Sequence, residues 1–405
     1  MGAENCLTGI RVLDLTQFEA GPSCTEVLAW LGAEVVKLEN PKSGDPGRQI
    51  NNPDGADAHY FLQYNANKKS ITVDLKSPRG LALAKDLAAH ADVFIENFAP
   101  GAIERLGLGP DVIRTLNPAI IYAQVKGFGT GSPFEKNLAF DMIAQACGGT
   151  MSVTGDADGP PIKPGATIGD TGTGMLMAIS VLGALHRRTR TGEGEHLQVA
   201  MQDAMFQYIR GAFARQTSTG KAAQRAGNGS VMSRNPPMGI YPCLGGGPND
   251  YVYVYTSRAN PEHWRRLLGV IGREELIGDP RFETADARRE NEAEVDAMVA
   301  DWTRQHSKQD AMRIIGAAGI PAGAVLDTNE LLHDPTFEQR GITQTIQHPK
   351  IGPYKMAAFP VRFSGRPAPL HPAPLLGQHT NEVLGEWLGL GSDDVGALRE
   401  SGVIG

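Results

Sequence analysis

The run Gly169-Asp170-Thr171-Gly172-Thr173-Gly174 is where residue types and spacing could do chemistry. It leads into an apolar stretch read as a helix over Gly172–Thr189, which ends in basic residues and meets Gly192. A carboxylate at a helix start is favoured by free N–H groups and the macrodipole. The glycines around it let a substrate approach the backbone closely. An exposed carboxylate of this kind can act as a nucleophile toward an acyl group. The plainer reading is an N-cap, which is what an aspartate before a helix usually is. The glycines do not form a phosphate-cradling fingerprint, which should follow a strand and be trailed by an acid about 20 residues on.

Other candidates are weaker. Gly245-Gly246-Gly247-Pro248 could be a mobile lid, but a turn leading into the alternating Tyr251–Tyr255 strand is the commoner use of such a run. Lys68, Lys69, Arg105, Lys126 and Lys163 lie near strand ends, where cations can contact phosphates, although solvated surface lysines look the same. The ten histidines show no metal-ligand spacing, so no metal site is expected. Neither a GxSxG elbow nor a GxxxxGK[ST] loop occurs, which disfavours an α/β-hydrolase and a P-loop NTPase.

The elements that must position these residues alternate in the first third of the chain. Strands are predicted at Ile10–Leu15, Glu34–Glu39, Ser70–Asp74, Val93–Glu96 and Ile120–Val125. Helices are predicted at Cys24–Leu31, from Pro78 to about His90, at Ala102–Leu106 and at Pro110–Leu116. This alternation argues for a mostly parallel sheet covered on both faces, an α/β fold. Ligands of such sheets sit at the carboxyl ends of the strands, beside loops such as 16–22, 96–101 and 126–131. A further helical stretch runs over Val199–Ala214. Composition then turns polar from Gln216 to Pro237, and Trp264–Ile315 is charged and helical. Prolines follow from Pro349 to Pro374, then a final helix over Thr380–Leu388.

The 405 residues suggest about two to three domains at roughly 150 residues each. A net charge of −7 argues against nucleic acid as a partner. The cysteines Cys6, Cys24, Cys147 and Cys243 form no CxxC pair and read as reduced thiols. Met1–Asn5 is short and polar, without the shape of a signal peptide. The longest nearly apolar run, Met175–Leu185, is about 11 residues against the roughly 20 that a membrane span needs. A soluble cytoplasmic chain with no membrane partner is expected.

An ordered set of segments resembles the class III coenzyme A transferases, the family of formyl-CoA transferase and carnitine CoA-transferase. It comprises 7–14, Ala20-Gly21-Pro22, 31–39 and 65–71. It continues with 96–101, 125–129, Gly159-Pro160-Pro161, Gly169-Asp170, 190–194, Gln202-Asp203-Ala204 and 373–380. Each motif is weak, but their order along essentially the whole chain is specific. The resemblance implies a large Rossmann-like domain built from both chain termini, a small domain inserted between them, and two chains interlocked as a homodimer. On this chain it places the large domain's N-terminal part at 1–215, a linker at 216–240, the small domain at 241–325, and a linker with the return to the large domain at 326–405.

The resemblance also implies the chemistry. Asp170 matches the family's catalytic aspartate, which carries the acyl group as an anhydride and CoA as an aspartyl thioester. Gln17, Phe18, Glu19, Ala20, Asn97, Phe98, Ala102, Arg105 and Lys126 match coenzyme contacts. Asp141 matches an active-site acid, and Gly245, Gly246 and Gly247 match the remnant of a longer glycine-rich lid. The substrates implied are an acyl-CoA and a free carboxylic acid, with no tightly bound cofactor. Formyl-CoA transferase has Gln at the place of Glu19, Trp at Ile50 and Tyr at Phe140, and a basic residue is expected at Asn40. These departures point away from oxalate and formyl-CoA, toward another acid such as succinate with succinyl-CoA as donor. Two other readings share the fold. An α-methylacyl-CoA racemase needs a histidine near Phe140 or Asp141, and none is there. A non-catalytic partner subunit would have no use for Asp170.

Overall fold

The structure is a computed structural model and describes residues 5–51, 57–232 and 234–405. Residues 1–4 of the polar start and Ser233 of the expected linker lie outside the described residues. The chain divides into two compact units. The first takes Met1–Thr150, Lys163–Tyr208 and Pro335–Gly405; the second takes Met151–Ile162 and Ile209–Asp334.

The first unit is built on six parallel strands: β1 (Arg11–Asp14), β2 (Glu34–Glu39), β3 (Lys69–Thr72), β4 (Val93–Glu96), β5 (Ile121–Lys126) and β6 (Glu195–Ala200). Their order is β3-β2-β1-β4-β5-β6, that of doubly wound nucleotide-binding sheets. Successive strands run outward from β1 in one direction and then, from β4, in the other. The crevice at the carboxyl ends of β1 and β4 is therefore the switch point, the place where sheets of this kind bind ligands.

Strand residues alternate between two cores, as a period of two requires. Leu13, Val36, Ile71, Phe94 and Tyr122 face one core, which the Pro78–Ala89, Thr380–Leu388 and Ser392–Glu400 helices cover. Val12, Val35, Val93, Ile95, Ile121 and Ala123 face the other, covered by the Ala20–Trp30, Thr173–Thr191 and Met201–Tyr208 helices. The 373–405 segment also lies along β3. His379 N–H donates to Ser70 O at 2.9 Å, Asp74 N–H to Val403 O at 2.8 Å, and Gly405 N–H to Thr72 Oγ1 at 2.9 Å.

Several elements differ from the sequence reading. The sixth strand falls at the start of the stretch read as one helix over 199–214, which is instead β6 followed by helices Met201–Tyr208 and Arg210–Thr219. The helix after Asp170 starts earlier, because a single π-helical turn over Ile168–Gly172 joins it to Thr173–Thr191. The continuous Ile168–Thr191 helix is long and apolar enough to cross a membrane by length and composition, unlike the shorter Met175–Leu185 run. It packs Met177, Ala178, Val181 and Leu185 into the sheet's second core, as a core helix of the unit does. An antiparallel hairpin, β10 (Thr343–His348) and β11 (Gly352–Ala357), fills part of the proline-rich tail. The second unit has an antiparallel sheet, β7 (Met238–Pro242), β8 (Tyr251–Tyr255) and β9 (Ala322–Ala324). It shares a core with the helices around Trp264, Val299 and Ile315.

Candidate active site

The loop after β1 is fixed by buried side chains at each of its first residues. The Asp14 carboxylate accepts from Thr16 N–H and from the hydroxyls of Thr16 and Thr25. Lys37, fully buried, donates to Thr16 O at 2.7 Å and pairs with Asp45 at 2.8 Å. Asp45 in turn accepts from Phe18 N–H at 3.1 Å and Gly47 N–H at 2.7 Å. Phe18 has φ +62°, a left-handed conformation that costs a side-chain-bearing residue energy, so these partners over-determine it. Burial alone would push Asp14 up; the Lys68 and Lys37 ammoniums with the two threonine hydroxyls outweigh it and hold this carboxyl below its usual range.

The loop after β4 is held in the same way. Asn97 bonds both backbone groups of Gln17. Glu96, fully buried, accepts from Phe98 N–H at 2.7 Å, Gln124 Nε2 at 2.8 Å and the Lys126 ammonium at 2.7 Å. Lys126 also donates to Phe98 O at 3.1 Å, so Phe98 is gripped at both ends of its backbone.

Asp170 stands on the π-helical turn. Gly169 N–H donates to Asp141 Oδ1 at 2.9 Å, and a Cβ on Gly169 would lie 2.7 Å from Asp141 O, so only glycine fits. Asp141 is buried, accepts from Gln145 at 2.8 Å to both oxygens, and has Lys163 3.4 Å away. Thr173 Oγ1 donates to Gly169 O and Tyr208 OH to Gly172 O, bracing the other side of the turn. The N-cap reading of Asp170 fails: it lies inside the turn, and the helix start carries no side-chain cap. Among the described residues its carboxylate has no hydrogen-bond partner. Burial, then the nearby charges of Glu19 and Asp141, push it up to about 7.

Asp170 lines a cavity of about 310 Å³ together with Gln17, Phe18, Ala20, Asn97, Phe98, Ala102 and Lys126. Leu138, Phe140 and Met201 add an apolar wall. Seven of the nine expected coenzyme contacts are thus brought together with Asp170 at the switch point. Glu19 and Arg105 are not among the lining residues. Arg105 is exposed and reaches over Gly101, where an added Cβ would meet its Nη1 at 2.8 Å. Glu19 is buried and turns toward Thr167, Thr171 and Tyr60. Gly245–Gly247 form the turn between β7 and β8 in the second unit, Gly247 N–H donating to Asp250 at 2.8 Å.

A second cavity of about 170 Å³ shares Gln17 and Phe98 with the first and extends past Leu38, Asn40, Asp74, Lys76 and Leu106. Sequence reasoning missed Lys76 here, and missed the buried Lys37 and Asp45 and the half-buried Tyr60, Thr167 and Thr171. Only the i, i+4 spacing of the two threonines about Asp170 offered a signal. A larger cavity of about 610 Å³ lies within the second unit. It is open and polar, and several of its polar groups pair with each other: Tyr241 with Asp296 and Arg234 with Glu292, both at 2.7 Å. Size does not make it the site, since it holds none of the expected residues.

A six-stranded parallel sheet with a half-buried carboxylate beside a switch-point crevice defines an α/β fold with a candidate ligand site. Comparison with known proteins narrows this: the profile of CoA-transferase family III fits residues 7–380, and the chain belongs to that family, the class III CoA-transferases. It is similar to the formyl-CoA:oxalate CoA-transferase of Streptomyces avermitilis, 39% identical over 98% of this chain and 99% of that one. It is also similar to the protein of that description from Afipia carboxidovorans, 36% identical over 98% and 97%. Among solved structures it resembles a CAIB/BAIF family protein from Brucella suis. That match has TM-score 0.83 and 31% identity, and covers 95% of this chain and 100% of that one. The chain is an enzyme of this class, whose substrates include CoA thioesters.

Proposed function

We propose that this enzyme transfers CoA between two carboxylic acids with Asp170 as the covalent nucleophile. The carboxylate of Asp170 attacks the donor thioester carbonyl, a C–O bond forms, and CoA leaves as the thiolate. The thiolate attacks the aspartyl carbonyl of this mixed anhydride, giving aspartyl-CoA thioester and the free donor acid. The acceptor carboxylate then attacks that thioester and releases the thiolate again. The thiolate attacks the acceptor's acyl carbon, and Asp170 departs as a carboxylate. Charge and atoms balance at each step, because every leaving group is the next nucleophile or a carboxylate.

One observation carries this reading. Unlike the buried acids around it, Glu19, Asp141 and Glu96, the half-buried Asp170 has no hydrogen-bond partner among the described residues, and it is the one that lines the cavity. Gln17, Phe18, Ala20, Asn97, Phe98, Ala102 and Lys126 are the proposed contacts of the coenzyme's pantetheine arm, and the neighbouring cavity with Asn40 and Lys76 its nucleotide end. Of the loop's amides, those of Gln17 and Phe18 are already engaged. Those of Glu19 and Ala20 are left as the oxyanion donors.

A homodimer is part of the proposal. Phe134, Met142, Ile143, Ile179 and Phe206 are large apolar side chains exposed on the first unit, the kind of surface a second copy would cover. Its mass in solution by light scattering tests this, and a monomer would refute it. The four free thiols fit a reducing, cytoplasmic setting.

The chemistry is tested by incubating the protein with acetyl-CoA, quenching, trapping with hydroxylamine, and mapping the peptide by mass spectrometry. A hydroxamate at Asp170, absent from Asp170→Ala, is the expected result. Turnover without any Asp170 adduct would overturn the mechanism.

A further inference from the structure

Glu19 is a buried carboxylate, 2% exposed, that the mechanism above does not use. Its Oε1 accepts from the hydroxyls of Thr167 and Thr171, the residues three before and one after Asp170. Its Oε2 accepts from Tyr60 OH at 3.2 Å. Tyr64 OH is a further hydrogen-bonding neighbour of this carboxylate. Among the described residues Glu19 has no ion-pair partner. Asp141, the other acid beside Asp170, has Lys163 at 3.4 Å. Buried charges are normally paired, so an uncompensated one pressed against the nucleophile's turn calls for a use.

We propose that Glu19 sets which acids the site accepts: its uncompensated carboxylate, locked against the turn that carries Asp170, selects acyl groups that bear no second carboxylate. The inference rests on Asp170 being the acyl-carrying residue. An acid with an apolar tail brings one negative charge, and that charge passes to the CoA thiolate when the anhydride forms. A dicarboxylate brings a second charge, which persists through every step close to Glu19 in a region of low dielectric. Like charges brought together this way are a standard means of rejecting a competing substrate. The inference runs against the succinyl-CoA donor that the sequence suggested.

The test compares butyrate with succinate, acids of equal chain length, as acceptors with acetyl-CoA as donor. Product CoA thioesters are separated by chromatography, and the binding of each acid is measured by calorimetry. Wild type is expected to favour butyrate by at least about tenfold in kcat/KM, and Glu19→Gln to narrow that ratio by about tenfold. Tyr60→Phe and Thr171→Val remove a hydrogen bond each but keep the charge, so they are expected to leave the ratio within about twofold of wild type. A wild type that prefers succinate overturns the proposal, whether or not Glu19→Gln folds. So does a ratio unmoved in Glu19→Gln, or one moved equally by Tyr60→Phe. The Asp170 adduct is assayed in parallel. Its absence from an active wild type would sink the covalent mechanism, while the calorimetric preference between the two acids would still decide the role of Glu19.

Discussion

Asn97 grips Gln17 by both halves of its side-chain amide: Oδ1 accepts from Gln17 N–H and Nδ2 donates to Gln17 O, each at 2.8 Å. One side chain at the end of β4 thereby completes the backbone bonding of a residue at the end of β1. The two strands are neighbours in the sheet, and the cavity lies beside both loops. Asn97→Ala should cost about 1–3 kcal/mol, because it leaves two half-buried backbone groups unpaired. The KM for acyl-CoA should rise more than kcat falls, since the loop lines the cavity. Asn97→Asp keeps only the acceptor and should lie between. Thermal denaturation with steady-state kinetics checks both.

The high pKa of Asp170 makes a signed prediction. The proposed nucleophile must be ionised to attack, so kcat/KM should rise with pH with a midpoint near 7. Burial is the main cause and the Glu19 charge the next, so Glu19→Gln should move the midpoint down. Stability runs the other way. The folded value lies above the unfolded one near 4, so the native state carries no penalty below about pH 4, a growing one between, and the full one above about 7. Asp170→Asn should therefore stabilise the protein at pH 8, on the order of 1–3 kcal/mol, and lose that gain as pH falls toward 4. Denaturant titrations at the two pH values decide it.

Lys37 and Asp45 are both 1% exposed at the side chain and 2.8 Å apart. Breaking such a pair strands a charge, which costs about 3–5 kcal/mol. Lys37→Met should show that loss, and should also weaken acyl-CoA binding through Thr16 and Phe18. Adding Asp45→Asn should recover part of the stability, because no lone charge remains. Equal stability of the single and double variants would contradict this account.

Two glycines on the helix that follows Asp170 should behave oppositely. A Cβ on Gly174 would sit 2.4 Å from Ala20 O and 2.8 Å from Ser23 Cβ, so Gly174→Ala must push apart the helices that begin at Ala20 and Thr173. Overpacking of this kind costs about 1–3 kcal/mol, and it should also slow turnover, since Ala20 and Asp170 line one cavity. Gly183 has nothing within 4 Å of an added Cβ. Gly183→Ala should stabilise by up to about 1 kcal/mol through helix propensity and leave turnover unchanged. Melting temperatures and rates of the two variants, side by side, are the check.

Four of the first five strands were legible as short, largely apolar runs, and β3 through the alternation of Ser70-Ile71-Thr72-Val73. β6 was not: Glu195-His196-Leu197-Gln198-Val199-Ala200 holds polar side chains that find partners only in the sheet, such as His196 with Gln124 at 2.8 Å. The hairpin at 343–357 was hidden by prolines and by a small core completed by Phe61 and Leu62 from far along the chain. Asp170 could be singled out because glycines surround it. What holds it could not: Glu19 is about 150 residues away, and its hydroxyl partners are ordinary residues until folding brings them together.

The sheet's first face is closed by helices that carry Val383, Leu384, Trp387, Val395 and Leu398. These residues are encoded after the whole second unit. A ribosome moving at about 5–20 residues per second needs roughly 10–40 s between releasing β6 and releasing Thr380. Throughout that interval Leu13, Val36 and Ile71 form an apolar surface without its final cover. Nascent chains of this enzyme should therefore be clients of chaperones, and codon changes that slow translation between 210 and 380 should lower soluble yield without altering the finished protein.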